Sequence, residues 1–129
     1  MSKILIADDE VSFRQFICEV IERMGHEVVE ACDGKEAWEK FQQESIDLSL
    51  IDINMPKMDG IAYLEHVKAA DPYAVVIMMT AYPSAETIIK TIEDEGYTYI
   101  TKPFKVEKIE DLIRRGLTFR ENRLKERTK

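Results

Sequence analysis

The sequence predicts an α/β fold, a three-layer sandwich with a five-stranded parallel sheet between layers of helix. Three observations predict it. Short apolar runs alternate with segments of helical period five times along the chain, and that alternation calls for parallel strands joined by right-handed crossovers. The runs lack a polar/apolar alternation, as in strands covered on both faces. The length, 129 residues, suits one domain and is enough to bury a core without staples.

Each element has its own signal. Lys3–Asp8 is a short apolar run of the buried-strand type. From Val11 to Met24, Phe13, Phe16, Ile17, Val20, Ile21 and Met24 recur with a period near 3.6 and predict one apolar helix face. Gly25 is placed to end that helix. His26–Ala31 reads as the second strand. Gly34–Gln43 reads as the second helix, with Ala37, Trp38 and Phe41 on one side. Leu48–Asp52 is the third strand and Ile61–Ala69 the third helix. Ala74–Met79 and Ala85–Glu93 form the fourth pair. Tyr97–Thr101 is the fifth strand, and the fifth helix starts at Val106, with Ile109, Ile113 and Leu117 continuing its stripe.

Composition narrows the function classes. Hydrophobic residues are 45% and charged residues 33%, an ordinary soluble mix. The longest apolar run, Ala74–Met79, is too short to span a bilayer. The first residues have no signal-peptide pattern. Cytoplasmic localisation is therefore expected, with Cys18 and Cys32 as reduced, buried small hydrophobes. The net charge of −7 argues against direct nucleic-acid binding. That charge is uneven, since residues 105–129 carry nine basic and five acidic side chains. Residues 118–129 read as a basic helical extension of the fifth helix, the start of a linker or a dimer contact. Ile109, Leu112, Gly116, Phe119 and Arg123 give only a partial seam, too short for a coiled coil.

In open α/β sheets, sites form beyond the carboxyl ends of the strands. Asp8, Asp9 and Glu10 follow the first strand, Asp52 ends the third, Thr80-Ala81 follow the fourth, and Lys102-Pro103 follow the fifth. In a sheet of order 2-1-3-4-5 the first and third strands are neighbours, and Asp8, Asp9 and Asp52 converge. Three crowded carboxylates repel unless a cation sits among them. Oxygen donors without His or Cys suit Mg²⁺ better than Zn²⁺. With a hydroxyl at Thr80 and a cation at Lys102, the set suits a phosphoryl group, and one carboxylate can serve as nucleophile. Each piece alone is ordinary: Asp8-Asp9 as a solvated turn, Thr80 as a helix cap, Lys102 as a loop lysine. His26 and His66 have no metal-ligand spacing around them, and Met55, Met58, Met78 and Met79 read as packing residues.

The segment Asp52-Ile-Asn-Met-Pro-Lys-Met-Asp-Gly60, with Asp8-Asp9, Thr80-Ala81 and Lys102-Pro103-Phe104, closely resembles the receiver domain of the two-component response regulators. The resemblance covers Lys3 to about Leu117, so residues 1–117 are expected to form the receiver. It implies a flavodoxin-like, doubly wound sheet; the 2-1-3-4-5 order is carried over from the family. It implies Asp52 as phosphoacceptor, phosphorylated by a sensor histidine kinase or phosphotransfer protein. It implies Mg²⁺ held by Asp8, Asp9, Asp52 and the main-chain carbonyl of Asn54. Lys102 would contact the phosphoryl group, Thr80 would move toward it, and Tyr99 would follow from exposed to buried. The face of the fourth helix, fifth strand and fifth helix would then signal to an output domain or protein. A cis bond before Pro103 is implied as well.

Some positions depart from the family pattern. Tyr97 stands where a small residue is usual, Pro83 stiffens the loop after Thr80, and Ile53 leaves no tryptophan beside the phosphoacceptor. Asn54 and Tyr82 occupy positions that the family uses to tune dephosphorylation. Two other functions compete with a phosphorylation switch. An aspartyl-nucleophile phosphohydrolase would place a second aspartate two residues after the first, where Asn54 stands, and would need a cap domain. An interaction module without phosphorylation would have no need of Asp52, Thr80 and Lys102 together. The expectation is a non-enzyme whose only chemistry is on itself, with homodimerisation left open.

Overall fold

The structure is a computed structural model and describes residues 1–127. The elements are β1 (Lys3–Ala7), α1 (Val11–Arg23), β2 (Glu27–Ala31), α2 (Gly34–Gln43), β3 (Leu48–Asp52), α3 (Gly60–Ala70), β4 (Val76–Thr80), α4 (Ala85–Glu93), β5 (Thr98–Thr101) and α5 (Val106–Arg127). The strands form one parallel sheet in the order β2-β1-β3-β4-β5. Most expected boundaries hold within two residues. The fourth strand is shifted, so Thr80 is its last residue rather than the first of a loop.

Period-2 alternation of apolar side chains builds two cores. Ile4, Ile6, Leu48, Leu50, Ile77 and Met79 face α1 and α5. Leu5, Ala7, Ile51, Val76 and Met78 face α2 and α3. Each large apolar side chain so buried contributes about 1.5–3 kcal/mol. The ladder fixes the height of the acidic residues. Ile6 pairs with Leu50 and Ala7 with Ile51, so Asp8 and Asp52 leave adjacent strands at the same edge.

Side-chain caps start three helices. Asp33 accepts from the Glu36 N–H and Asp59 from the Ala62 N–H, both at 2.8 Å. Ser84 and Thr87 form a reciprocal capping box on α4, so Pro83 precedes the helix and does not enter it. Gly25 adopts φ 87° just beyond α1, a conformation for which glycine incurs no side-chain penalty.

Three further expectations are corrected. The strands are not all covered on both faces: Glu27 and Glu30 of β2 are exposed, and in β5 Thr98 and Tyr99 are half-buried and Thr101 is exposed. These are the edge strands, and the helices cover mainly the centre of the sheet. Phe16 is 45% exposed, because it lies about 100° around α1 from Ile17, outside the buried stripe. Cys18 is buried as expected, but Cys32 is exposed, since it sits in the turn after an edge strand.

Helix α5 runs unbroken past Leu117. Its apolar seam is used within the chain: Ile109, Leu112 and Ile113 belong to the core, and a methyl on Gly116 would lie 2.7 Å from Leu48 Cδ1. Residues 128 and 129 of the expected extension lie outside the described residues.

Candidate functional site

The carboxyl edge of the sheet holds a cleft of about 240 Å³ lined by Asp8, Asp9, Glu10, Asp52, Asn54, Ala81, Tyr82 and Lys102. One carboxylate oxygen from each of Asp8, Asp9 and Asp52 can be grouped within 4.8 Å. Asp8 and Asp52 are buried, whereas Asp9 is exposed at the rim. All three supply oxygen, the donor type suited to a hard divalent cation. Exposed acidic groups are common without a metal, so the burial of two of these three is the informative part.

Lys102 reaches into this group from the end of β5. Its Nζ donates to Asp8 Oδ2 at 2.6 Å and to Asp52 Oδ2 at 3.1 Å. The two remaining carboxylate oxygens accept backbone N–H groups. Glu10 donates to Asp8 Oδ1 at 2.9 Å, and Asn54 donates to Asp52 Oδ1 at 3.0 Å. These bonds fix the rotamers, so the acids are oriented as well as close.

Electrostatics leave the cluster short of positive charge. Burial, with a smaller contribution from the charge of Asp8, raises the Asp52 pKa; the Asn54 N–H and Lys102 oppose it without cancelling it. For Lys102 burial is the largest single influence and favours the neutral amine. The hydrogen bonds and charges of Asp8 and Asp52 together outweigh it, so its pKa is raised. The ammonium is therefore retained, and the edge has room electrostatically for a further cation.

Thr80 is placed differently. Met79 pairs with Asp52 in the ladder, which sets Thr80 one residue beyond. Its hydroxyl, however, accepts from the Tyr82 N–H at 3.0 Å, and Thr80 does not line the cleft. Tyr99 is also outside it. The ring is half-buried and lines a separate hollow of about 530 Å³ with Ile100, Thr101, Phe104, Lys105 and Lys108. The Lys102–Pro103 peptide is cis.

A family model for the response regulator receiver domain matches residues 4–114. The chain belongs to the response regulator receiver family. Sporulation initiation phosphotransferase F of Bacillus subtilis (strain 168) is 35% identical over 120 residues, 93% of this chain and 97% of that protein. A CheY-like receiver domain protein from Methanospirillum hungatei JF-1 matches with a TM-score of 0.92 at 29% identity, covering 95% of this chain and 98% of that one. The response regulator TrrA from Thermotoga maritima, solved in complex with Mg²⁺ and BeF, matches with a TM-score of 0.84 at 27% identity, covering 91% and 100%. This receiver is thus a module of two-component signalling with the flavodoxin-like topology.

Two neighbours of the receiver site, Phe13 and Arg14, have no site signal in the sequence. The Phe13 ring lies 4.1 Å from Lys102 Nζ, a cation–π contact that also shields the amine. Phe13 meets Phe104 edge-on at 5.8 Å. Arg14 donates to the Asp8 carbonyl at 2.7 Å. Phe13 carried only a helix-face signal, and Arg14 carried none. Trp38 packs on α2 against Phe41 and His66, and His66 is exposed as expected. Among the described residues, no helix is long and apolar enough to cross a membrane.

Proposed function

We propose that this receiver accepts a phosphoryl group on Asp52 and uses it to switch a partner-binding face. The observation that carries the reading is the Lys102 ammonium bridging two buried carboxylates, Asp8 and Asp52, beneath a third at the rim. The buried ionic group is poorly explained as a stabilising device, because such clusters bring desolvation costs and like-charge repulsion. It is well explained as a receptacle for a dianion and its counter-cation.

Asp8, Asp9, Asp52 and the Asn54 carbonyl would hold Mg²⁺, which supplies charge neutralisation for the transferring phosphoryl oxygens. An Asp52 carboxylate oxygen attacks phosphorus of a phosphohistidine donor. The new P–O bond forms as the P–N bond breaks, and the imidazole nitrogen keeps the electron pair. Lys102 then exchanges part of its carboxylate contacts for phosphoryl oxygens. The Thr80 hydroxyl leaves the Tyr82 N–H for a charged acceptor, and charge-assisted bonds of this kind contribute about 1.5–3 kcal/mol each. Interactions made in only one state are what bias a two-state element. Tyr99 sits at the hollow beside β5 and α5, where the readout toward α4, β5 and α5 would begin.

On this reading the protein is a cytoplasmic switch whose chemistry acts on itself, serving a sensor histidine kinase or phosphotransfer protein on one side and an output domain or protein on the other. Residues 1–117 are the receiver, and the rest of α5 is a basic extension toward a linker or a homodimer contact, with no direct nucleic-acid or membrane role. The test is intact mass after incubation with acetyl phosphate. One phosphoryl adduct that requires Mg²⁺ and disappears in Asp52→Ala is expected. Loss of the adduct is expected to persist in Asp52→Asn. Absence of an adduct in the wild type, together with no beryllofluoride-induced NMR shifts, would contradict the reading.

A further inference from the structure

The loop of residues 53–59 carries Asn54, and it is held from behind by an element that does not line the cleft. A Cβ built on Gly34 would lie 1.7 Å from the Met58 carbonyl oxygen, 2.6 Å from its carbonyl carbon and 2.8 Å from its Cβ. The first residue of α2 therefore rests directly on the loop backbone, with no space for a methyl group. Beside it, Asp33 caps α2 and its Oδ2 lies 3.6 Å from Lys57 Nζ. Lys57 has φ 69°, the left-handed region that disfavours a side chain. The loop is otherwise closed on itself: the Met58 N–H donates to the Pro56 carbonyl, and the Gly60 N–H to the Ile53 carbonyl.

We propose that the N-terminus of α2 is a buttress: Gly34 against Met58 and Asp33 against Lys57 fix the course of the 53–59 loop and so the position of the Asn54 carbonyl. Gly34 and Asp33 are positioning residues, since neither lines the cleft. The inference rests on reading the cleft as the Mg²⁺-dependent phosphoacceptor site. It adds that Mg²⁺ affinity is set partly by contacts on the outer side of the loop. Supporting groups of this kind commonly change metal affinity by about ten- to a hundredfold. The backbone contact at Gly34 carries most of the effect, because the exposed Lys57 ion pair is weak by nature.

The test is calorimetric Mg²⁺ titration of the wild type, Gly34→Ala, Asp33→Ala and Val20→Ala. Val20 is buried on the other face of the sheet, so its truncation lowers stability without touching the loop. Expected results are Mg²⁺ binding weakened about tenfold in Gly34→Ala, about two- to fivefold in Asp33→Ala, and unchanged in Val20→Ala despite a lower melting temperature. Wild-type affinity in a folded Gly34→Ala overturns the proposal. If Gly34→Ala does not fold, unchanged affinity in Asp33→Ala overturns it alone. Equal weakening in Val20→Ala also overturns it, since affinity would then follow global stability. A wild type whose Mg²⁺ binding is absent, or indifferent to Asp52→Asn, would instead bring down the reading of the cleft and the buttress with it.

Discussion

At the carboxyl edge of the sheet, one ammonium, Lys102, faces two buried carboxylates with a third at the rim. At the amino edge, one guanidinium, Arg120, faces one carboxylate, Asp71, at 3.1 Å and donates to the Tyr73 carbonyl at 2.9 Å. The residues are of the same kind, yet they are joined to the fold differently. The Arg120 guanidinium ties α5 to the turn before β4. Around it Tyr97 packs on Phe119 at 5.2 Å, and Arg123 lies over Tyr73 and Phe119. The Lys102 cluster is unmatched and holds no element that the ladder does not already hold. Ionic groups at the amino edge secure structure, whereas those at the carboxyl edge, on the proposed reading, are poised for a charged ligand.

That contrast can be broken by removing the cation at either end. The largest effect is expected from Lys102→Met, which strands Asp8 and Asp52 together. Removing one partner of a buried ionic group costs about 3–5 kcal/mol, and denaturant unfolding without metal should report a loss of that size. Added Mg²⁺ should restore part of it, because a cation binding the acids stabilises the folded state by mass action. A loss indifferent to Mg²⁺ would place the acids outside any cation site.

Arg120→Ala comes next. Asp71 is only partly buried, so the loss should be about 1–3 kcal/mol, and it should not respond to Mg²⁺. Phosphorylation with acetyl phosphate should be unchanged. If this variant instead altered Mg²⁺ affinity, the two edges would be coupled and the division between them would fail.

The smallest expected effect is at Asp33. Its carboxyl is held below the ordinary range, first by the Glu36 N–H, against burial, with help from Lys57. A depressed folded pKa adds stability above the unfolded value, about 3.9, and that stability is lost as pH falls through the folded value. Loss of the Asp33 N-cap bond to Glu36 in Asp33→Ala should cost about 1 kcal/mol at neutral pH. The gap to the wild type should close in acid. A gap that persists well below the ordinary carboxyl range would show that the cap acts by shape alone.

The sequence carried the carboxyl edge better than the amino edge, and for a physical reason. Asp8 and Asp52 each end an apolar run and Lys102 follows an aromatic and β-branched one, so strand assignment sets their height once the strand order is known. Asp71 and Arg120 are 49 positions apart, on a turn and a helix, with no periodic signal that joins them. The Gly34–Met58 contact is hidden likewise, because a glycine's value there lies in what it leaves out. Tyr97 was legible as unusual, but its partner Phe119 was not. Phe16 and Cys32 are exposed against expectation, because a periodic pattern marks a stripe without marking its rim, and a turn beside an edge strand is not covered. Thr80 ends β4 instead of following it, and the direction of its hydroxyl depends on which acceptor is present.

The most direct measurement localises the phosphoryl group itself. After acetyl phosphate and Mg²⁺, borohydride reduction converts an aspartyl phosphate to homoserine, which peptide mass spectrometry reads at a single position. The expected result is homoserine at position 52 alone, only when Mg²⁺ was present. Homoserine at position 8, 9 or 59, or labelling that does not depend on Mg²⁺, would contradict Asp52 as the acceptor in a metal-dependent site.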